Sequence, residues 1–163
     1  MAKKLILMRH AEAEVEVSSD FERALTLRGL RQAALAGQWL QGQGWQPSFL
    51  LSSAALRAEM TVLQVAEQLG YARSAIRYEE ELYNASVRIL MRFLQEVAPE
   101  ETCVLLVAHN PGISYLAEML TKAPLGGFAP GQMLLLDLEI TEWALLDEHC
   151  AKVVASFGGI EEG

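Results

Sequence analysis

Cysteine is nearly absent from this chain: Cys103 lies inside an apolar run and Cys150 near the end, so no short-range disulfide or metal-ligand pattern exists. Two scattered thiols point to a reducing cytoplasm, and no metal centre is expected. Basic residues are also scarce. Thirteen Lys and Arg stand against 21 Asp and Glu, a formal charge of −8. That balance argues against a nucleic-acid surface, where clustered positive charge is rewarded. Long hydrophobic runs are missing too, and none approaches the roughly 20 apolar residues of a membrane span. The apolar run after Met1-Ala2-Lys3-Lys4 stops at Arg9, too short for the core of a signal peptide. A cytoplasmic protein without membrane or nucleic-acid partners is therefore expected.

What the chain does have is apolar content. Over 163 residues, 52% are hydrophobic, enough for one domain over 1–163 with a core that needs no staples. Strand and helix patterns alternate along it. Lys4 to Met8 reads as a strand buried on both faces, as in a parallel sheet. Residues 11 to 24 lack a stable period, and their alternating acids read as a solvated loop. Thr26 caps an expected helix from Leu27 to Gln43, ended by Gly42 and Gly44. Ser48 to Leu51 is the next strand. A helix capped by Ser52 or Ser53 follows, with Leu56, Met60, Leu63, Ala66 and Leu69 as its apolar stripe, closed by Gly70.

Further along, Ala75 to Tyr78 suggests a short strand, and Ser86 a helix start with Ile89, Leu90, Phe93, Leu94 and Val97 inward, ending before Pro99. Thr102 to Ala108 is a clear strand. Pro111 suits the first turn of a helix that runs to Leu120. After the loop Pro124 to Gly131, strands are expected at Gln132 to Ile140, Trp143 to Leu146 and Lys152 to Phe157, as a hairpin or meander at one sheet edge. Gly158 to Gly163 reads as a loose tail. No internal repeat or low-complexity segment is present.

Three apolar strands run directly into polar groups: Arg9-His10, Ser52-Ser53-Ala54-Ala55-Leu56-Arg57, and His109-Asn110-Pro111-Gly112. In open α/β sheets ligands bind at the carboxyl edge of the strands, which is where such groups are delivered. Two guanidinium groups and two imidazoles converging there make a compact anion pocket, and helices opening beside it add unpaired N–H groups. A phosphoryl group is the natural guest. Nearby guanidinium charge lowers the pKa of an imidazole and keeps it nucleophilic, so that it can attack phosphorus in line. The arginines carry the transition-state charge, so neither a metal nor another cofactor is required. Nine arginines against four lysines fit this reading, because Arg binds phosphate oxygens in a bidentate manner.

These motifs resemble a known family. Leu5-Ile6-Leu7-Met8-Arg9-His10-Ala11-Glu12 is similar to the opening signature of the histidine phosphatase superfamily, with its phosphoglycerate mutase-like fold. Arg23-Ala24-Leu25-Thr26-Leu27-Arg28-Gly29, Ser52 to Thr61, and His109-Asn110-Pro111-Gly112 follow in order. Their spacing and the short chain look most like the phosphohistidine phosphatases of the SixA type. The resemblance covers roughly residues 4 to 138 and implies an α/β/α three-layer sandwich with a mixed, mainly parallel central sheet. It implies His10 as nucleophile, Arg9 and Arg57 as phosphate-binding arginines, and His109 as the second pocket histidine. Arg23 and Asn110 are implied as substrate contacts.

One departure matters. Many relatives that cleave phosphate esters carry a glutamate donor in mid-chain, where this sequence reads Leu82-Tyr83-Asn84. Glu79, Glu80 and Glu81 stand just before it and read as a solvated turn. A missing acid disfavours alkoxide leaving groups and suits imidazole, which leaves readily once its other nitrogen is protonated. The expected substrate is therefore phosphohistidine on a partner protein, a phosphotransfer domain or a phosphocarrier. Two rivals remain: a small-molecule phosphomonoesterase using one of Glu79 to Glu81, and a phosphate-dependent binding module without catalysis. Arg28 reads as an exposed helix residue and His149 as a surface histidine. Trp39, Trp45 and Trp143 read as core or rim, and Thr61 as a partner beneath Arg57.

Overall fold

The computed structural model describes residues 2–15 and 19–158. Glu16, Val17 and Ser18 of the expected acidic loop, and all but Gly158 of the expected loose tail, lie outside them. A central sheet of six strands is sandwiched between two pairs of helices, the expected α/β/α arrangement. The strands are β1 (Lys3–Arg9), β2 (Phe49–Ser53), β3 (Ile76–Glu79), β4 (Cys103–Ala108), β5 (Met133–Leu138) and β6 (Ala151–Phe157), in the order β3-β2-β4-β1-β5-β6. Only β5 runs against the rest, so the sheet is mixed and mainly parallel.

The helices are α1 (Leu27–Gln43), α2 (Leu56–Leu69), α3 (Val87–Gln95) and α4 (Gly112–Thr121). Period-two alternation along β1 sends Ile6 and Met8 toward α1 and α2, and Leu5 and Leu7 toward α3 and α4. All four are completely buried, and each contributes about 1.5–3 kcal/mol. That burial makes β1 a rigid platform for the polar pair at its end. Because β1, β2 and β4 are parallel neighbours across the sheet, their carboxyl ends share one edge.

Local chemistry sets the helix limits. Thr26 Oγ1 accepts the Gly29 N–H at 2.9 Å to open α1, and Gly44 closes it with φ 78°. Gly112 opens α4 in close contact with the α3 approach, since a Cβ on it would lie 2.2 Å from the Ala85 carbonyl.

Several expectations need correction. The α2 stripe is rotated from Leu56, Met60, Leu63 and Leu69, which are only partly buried, to Ala58, Thr61, Val62, Val65 and Ala66. Arg57 must enter the buried edge of the sheet, and that requirement outweighs simple apolar periodicity. Neither serine caps α2 directly: Ala55 is its N-cap, while Ser53 Oγ accepts the Ala55 N–H at 3.1 Å. Pro111 stands one position before α4 as its N-cap, after a cis Asn110–Pro111 bond. Trp143 begins no strand. Trp143–Leu145 forms a 3-10 turn that buries the indole and lets its N–H reach the Glu101 carbonyl at 2.8 Å. The C-terminal hairpin is therefore β5 with β6 alone. No helix among the described residues is long and apolar enough to cross a membrane.

Candidate active site

Arg9 and His10 leave β1 between β4 and β5. The His10 N–H donates to the Ala108 carbonyl at 3.1 Å, and the Gly131 N–H donates to the carbonyls of Arg9 and His10 at 3.2 and 3.0 Å. The backbone of this pair is thus held from both sides. His10 is 6% exposed, and its Nδ1 lies 2.8 Å from the Ala11 carbonyl. A carbonyl only accepts, so Nδ1 carries the proton and Nε2 keeps its lone pair. That lone pair accepts from Arg57 Nε at 3.3 Å.

Arg57, 3% exposed, enters from the first turn of α2. One hydroxyl sets its register to the nucleophile: Thr61 Oγ1 donates to the Arg57 carbonyl at 2.7 Å and accepts the Ala11 N–H at 3.0 Å. Helix and strand end are thereby joined one residue from His10. Arg9 donates from Nη1 to the Phe128 carbonyl at 3.0 Å, while its buried Nε has no partner.

His109 follows β4, with its ring centroid 5.2 Å from that of His10. Its Nε2 lies 2.8 Å from Ser53 Oγ at the end of β2. Among the described residues Nε2 is the only acceptor that the Ser53 hydroxyl reaches, its oxygen taking the Ala55 N–H, so its hydrogen goes to Nε2. His109 Nδ1 is then the protonated nitrogen, and it is buried without a partner. The site therefore holds two buried donors, on Arg9 and His109, with no internal acceptor.

Electrostatics keep both imidazoles neutral. Burial, reinforced by Arg9, Arg57 and Arg23 against the opposing Ala11 hydrogen bond, lowers His10 to about 4. Burial, then the neighbouring His10 and Arg57, lowers His109 to about 3. Burial followed by the charges of Arg57 and Arg23 lowers the Arg9 pKa as well.

Two residues that sequence reading missed complete the mouth. Asp20, at the start of the short turn Asp20–Glu22, accepts Arg57 Nη2 on Oδ2 at 3.0 Å and Arg23 Nε on Oδ1 at 2.9 Å, and its backbone carbonyl takes Arg57 Nη1 at 2.7 Å. Tyr83 donates its hydroxyl to Asp20 Oδ2 at 2.5 Å, and its ring stands edge-on to His109. The Tyr83 hydrogen bond, then Arg57, holds the Asp20 carboxyl down at about 2, although burial opposes this. The only sequence signal was the position of Asp20, three residues before Arg23.

The remaining candidates fall into place. Arg23 reaches the mouth through Asp20 and also donates to the Glu14 carbonyl at 2.8 Å. Asn110 donates to the Phe128 carbonyl at 2.8 Å and accepts from Ser114 Oγ, so its amide braces the loop that also receives Arg9. Glu79 pairs with Arg77 and Glu81 with Arg92, both on the surface. Arg28 is exposed beside Glu12. Among the described residues no cluster of three His, Cys, Asp or Glu could hold a metal ion.

An open α/β edge presenting two neutral imidazoles beside buried guanidinium groups defines a class: phosphatases of the phosphoglycerate mutase-like fold. The chain belongs to the histidine phosphatase superfamily, branch 1, whose family model matches residues 5–88. It is 32% identical over 118 residues to the phosphohistidine phosphatase SixA of Escherichia coli K12, covering 72% of this chain and 73% of that one. A solved structure of the protein histidine phosphatase SixA complexed with tungstate superposes with a TM-score of 0.78 at 26% identity, over 94% of this chain and 95% of that chain. A SixA-related structure from Nakamurella multipartitia gives 0.84 at 28% identity, over 99% and 98%.

Proposed function

We propose that the chain, acting as one cytoplasmic domain over 1–163, hydrolyses phosphohistidine on a partner protein through a covalent intermediate on His10. The observation that carries this reading is the His10 tautomer: with Nδ1 committed to the Ala11 carbonyl, Nε2 is an unprotonated nucleophile facing Arg57 Nε. The phosphohistidine phosphatase relatives support the substrate. So does the engagement of Glu79 and Glu81 in ion pairs with Arg77 and Arg92.

In the proposed mechanism a phosphoryl group enters between His10 and Arg57. Arg9 Nε, Arg57 Nε and His109 Nδ1 donate to its oxygens, and Arg23 meets it at the mouth. Asn110 is a further proposed substrate contact, and its amide also holds the Phe128 carbonyl that receives Arg9. His10 Nε2 forms a bond to phosphorus as the bond to the substrate imidazole breaks, and the electron pair leaves with that ring. Water then attacks the His10-bound phosphoryl group and releases phosphate. Pre-aimed donors of this kind typically contribute about 10²–10³ each in rate. No cofactor enters the scheme. A phosphotransfer domain or a phosphocarrier would each supply a suitable phosphorylated ring.

Rapid quench with a protein labelled at phosphohistidine tests the reading. Label is expected on His10 during turnover. A His10→Ala variant that still releases phosphate overturns it.

A further inference from the structure

The phosphoryl chemistry leaves one prominent group unused, the Asp20 carboxylate. It is half exposed, with 50% of its side-chain surface open, yet its position is set by Arg57, Arg23 and Tyr83. Arg57 links it to the nucleophile: the Nε edge of one guanidinium meets His10 Nε2, while its outer edge holds Asp20. The carboxylate therefore stands one guanidinium width from the reacting nitrogen, on the open side of the site.

Its surroundings are aromatic. The Tyr83 ring stands edge-on to Phe21 with centroids 5.0 Å apart, and edge-on to His109 at 5.6 Å. A carboxylate hydrogen-bonded to one ring of such an aromatic pair suits a flat cation that carries an N–H. It does not suit an acid's role: Tyr83 and Arg57 stabilise its ionised form, so it has no proton to give an alkoxide at neutral pH. An ester-cleaving site needs the opposite, a carboxyl group kept protonated.

Resting on the phosphohistidine reading above, we infer that Asp20 determines the bond type cleaved: its carboxylate accepts the N–H of the protonated leaving imidazole, with the Phe21–Tyr83 pair beside that ring. The ring arrives with phosphorus on one nitrogen and a proton on the other. His10 Nε2 bonds to phosphorus, the old N–P pair returns to the ring, and a neutral imidazole departs with its proton still directed at Asp20. No proton has to be delivered during the step. An aspartate that orients and stabilises a protonated histidine is a familiar device in serine hydrolases. Here the partner would be the substrate's own histidine.

Asp20→Asn tests this, because the amide keeps an acceptor for Tyr83 and Arg57 while removing the charge. The readout is kcat/KM on a phosphohistidine protein beside p-nitrophenyl phosphate, whose leaving group needs no proton. The expected result is a loss of about a hundredfold on phosphohistidine and no more than a few-fold on the ester. Asp20→Glu should recover part of the difference. An equal fall on both substrates, or no fall on phosphohistidine, overturns the inference. Wild-type protein that hydrolyses the ester but not phosphohistidine overturns the functional reading itself, and this inference with it.

Discussion

Arg57 donates its Nε hydrogen to His10 Nε2 across 3.3 Å, joining residues 47 positions apart in the chain. The contact can form only while Nε2 is unprotonated, since an imidazolium would offer a second donor to a guanidinium. Arginine on α2 and lone pair at the end of β1 therefore report on each other. The nearby Thr61 hydroxyl makes the pairing a property of the backbone as well as of the side chains.

Arg57→Lys retains the charge but loses both the Nε donor and the fork that holds Asp20. Turnover is expected to fall by about 10²–10³, with little change in secondary structure by circular dichroism. A lysine variant within a few-fold of the wild-type kcat would show that charge alone suffices.

Thr61→Val is nearly isosteric and removes the hydroxyl that bridges Ala11 and Arg57. Leaving the buried Ala11 N–H without an acceptor should cost about 1–3 kcal/mol in urea unfolding. The register between Arg57 and His10 should loosen too, lowering kcat. Unchanged stability together with unchanged turnover would remove Thr61 from the positioning of the site.

Stability should decline as pH falls from about 6.5 toward 4. His10 and His109 have an ordinary value of 6.5 but are held at about 4 and about 3 in the fold. Over that interval the unfolded chain binds protons that the folded chain refuses, so unfolding gains on acidification. Above about 6.5 neither state is protonated and the effect disappears. Urea midpoints at pH 8, 6 and 5 measure it, and replacing both histidines with asparagine should flatten the slope. A midpoint that stays level from pH 6.5 to 5 in the parent protein would contradict the assignment.

Chelation should leave turnover unchanged, because guanidinium groups and neutral His109 supply the charge and donors that a divalent cation would otherwise provide. Loss of phosphate release in excess chelator, restored by magnesium, would refute this.

Much of the architecture was legible because strands buried on both faces read as continuous apolar runs. Leu5 to Met8 and Cys103 to Ala108 are such runs, and the polar groups after them were read as the edge of a site. Reading failed where a tertiary demand outweighed local pattern. The α2 stripe rotated because Arg57 had to be buried, and Trp143 became a turn because its indole needed the Glu101 carbonyl. Asp20 escaped notice because an acid in a polar loop looks the same whether it is solvated or gripped by two arginines.

By itself, the order of residues determined which chemical groups arrive at the carboxyl edge: apolar periodicity decides which segments are buried strands, and a strand's end delivers whatever follows it. Only the tertiary structure decided how those groups face one another. The proton on His10 Nδ1, the lone pair on Nε2 and the orphaned donors of Arg9 and His109 all depend on partners contributed by other elements. So does the grip of Arg57, Arg23 and Tyr83 on Asp20. Hydrogen bonds are short-ranged and directional, so contacts between residues far apart in the chain exist only once packing has brought their atoms within about 3 Å.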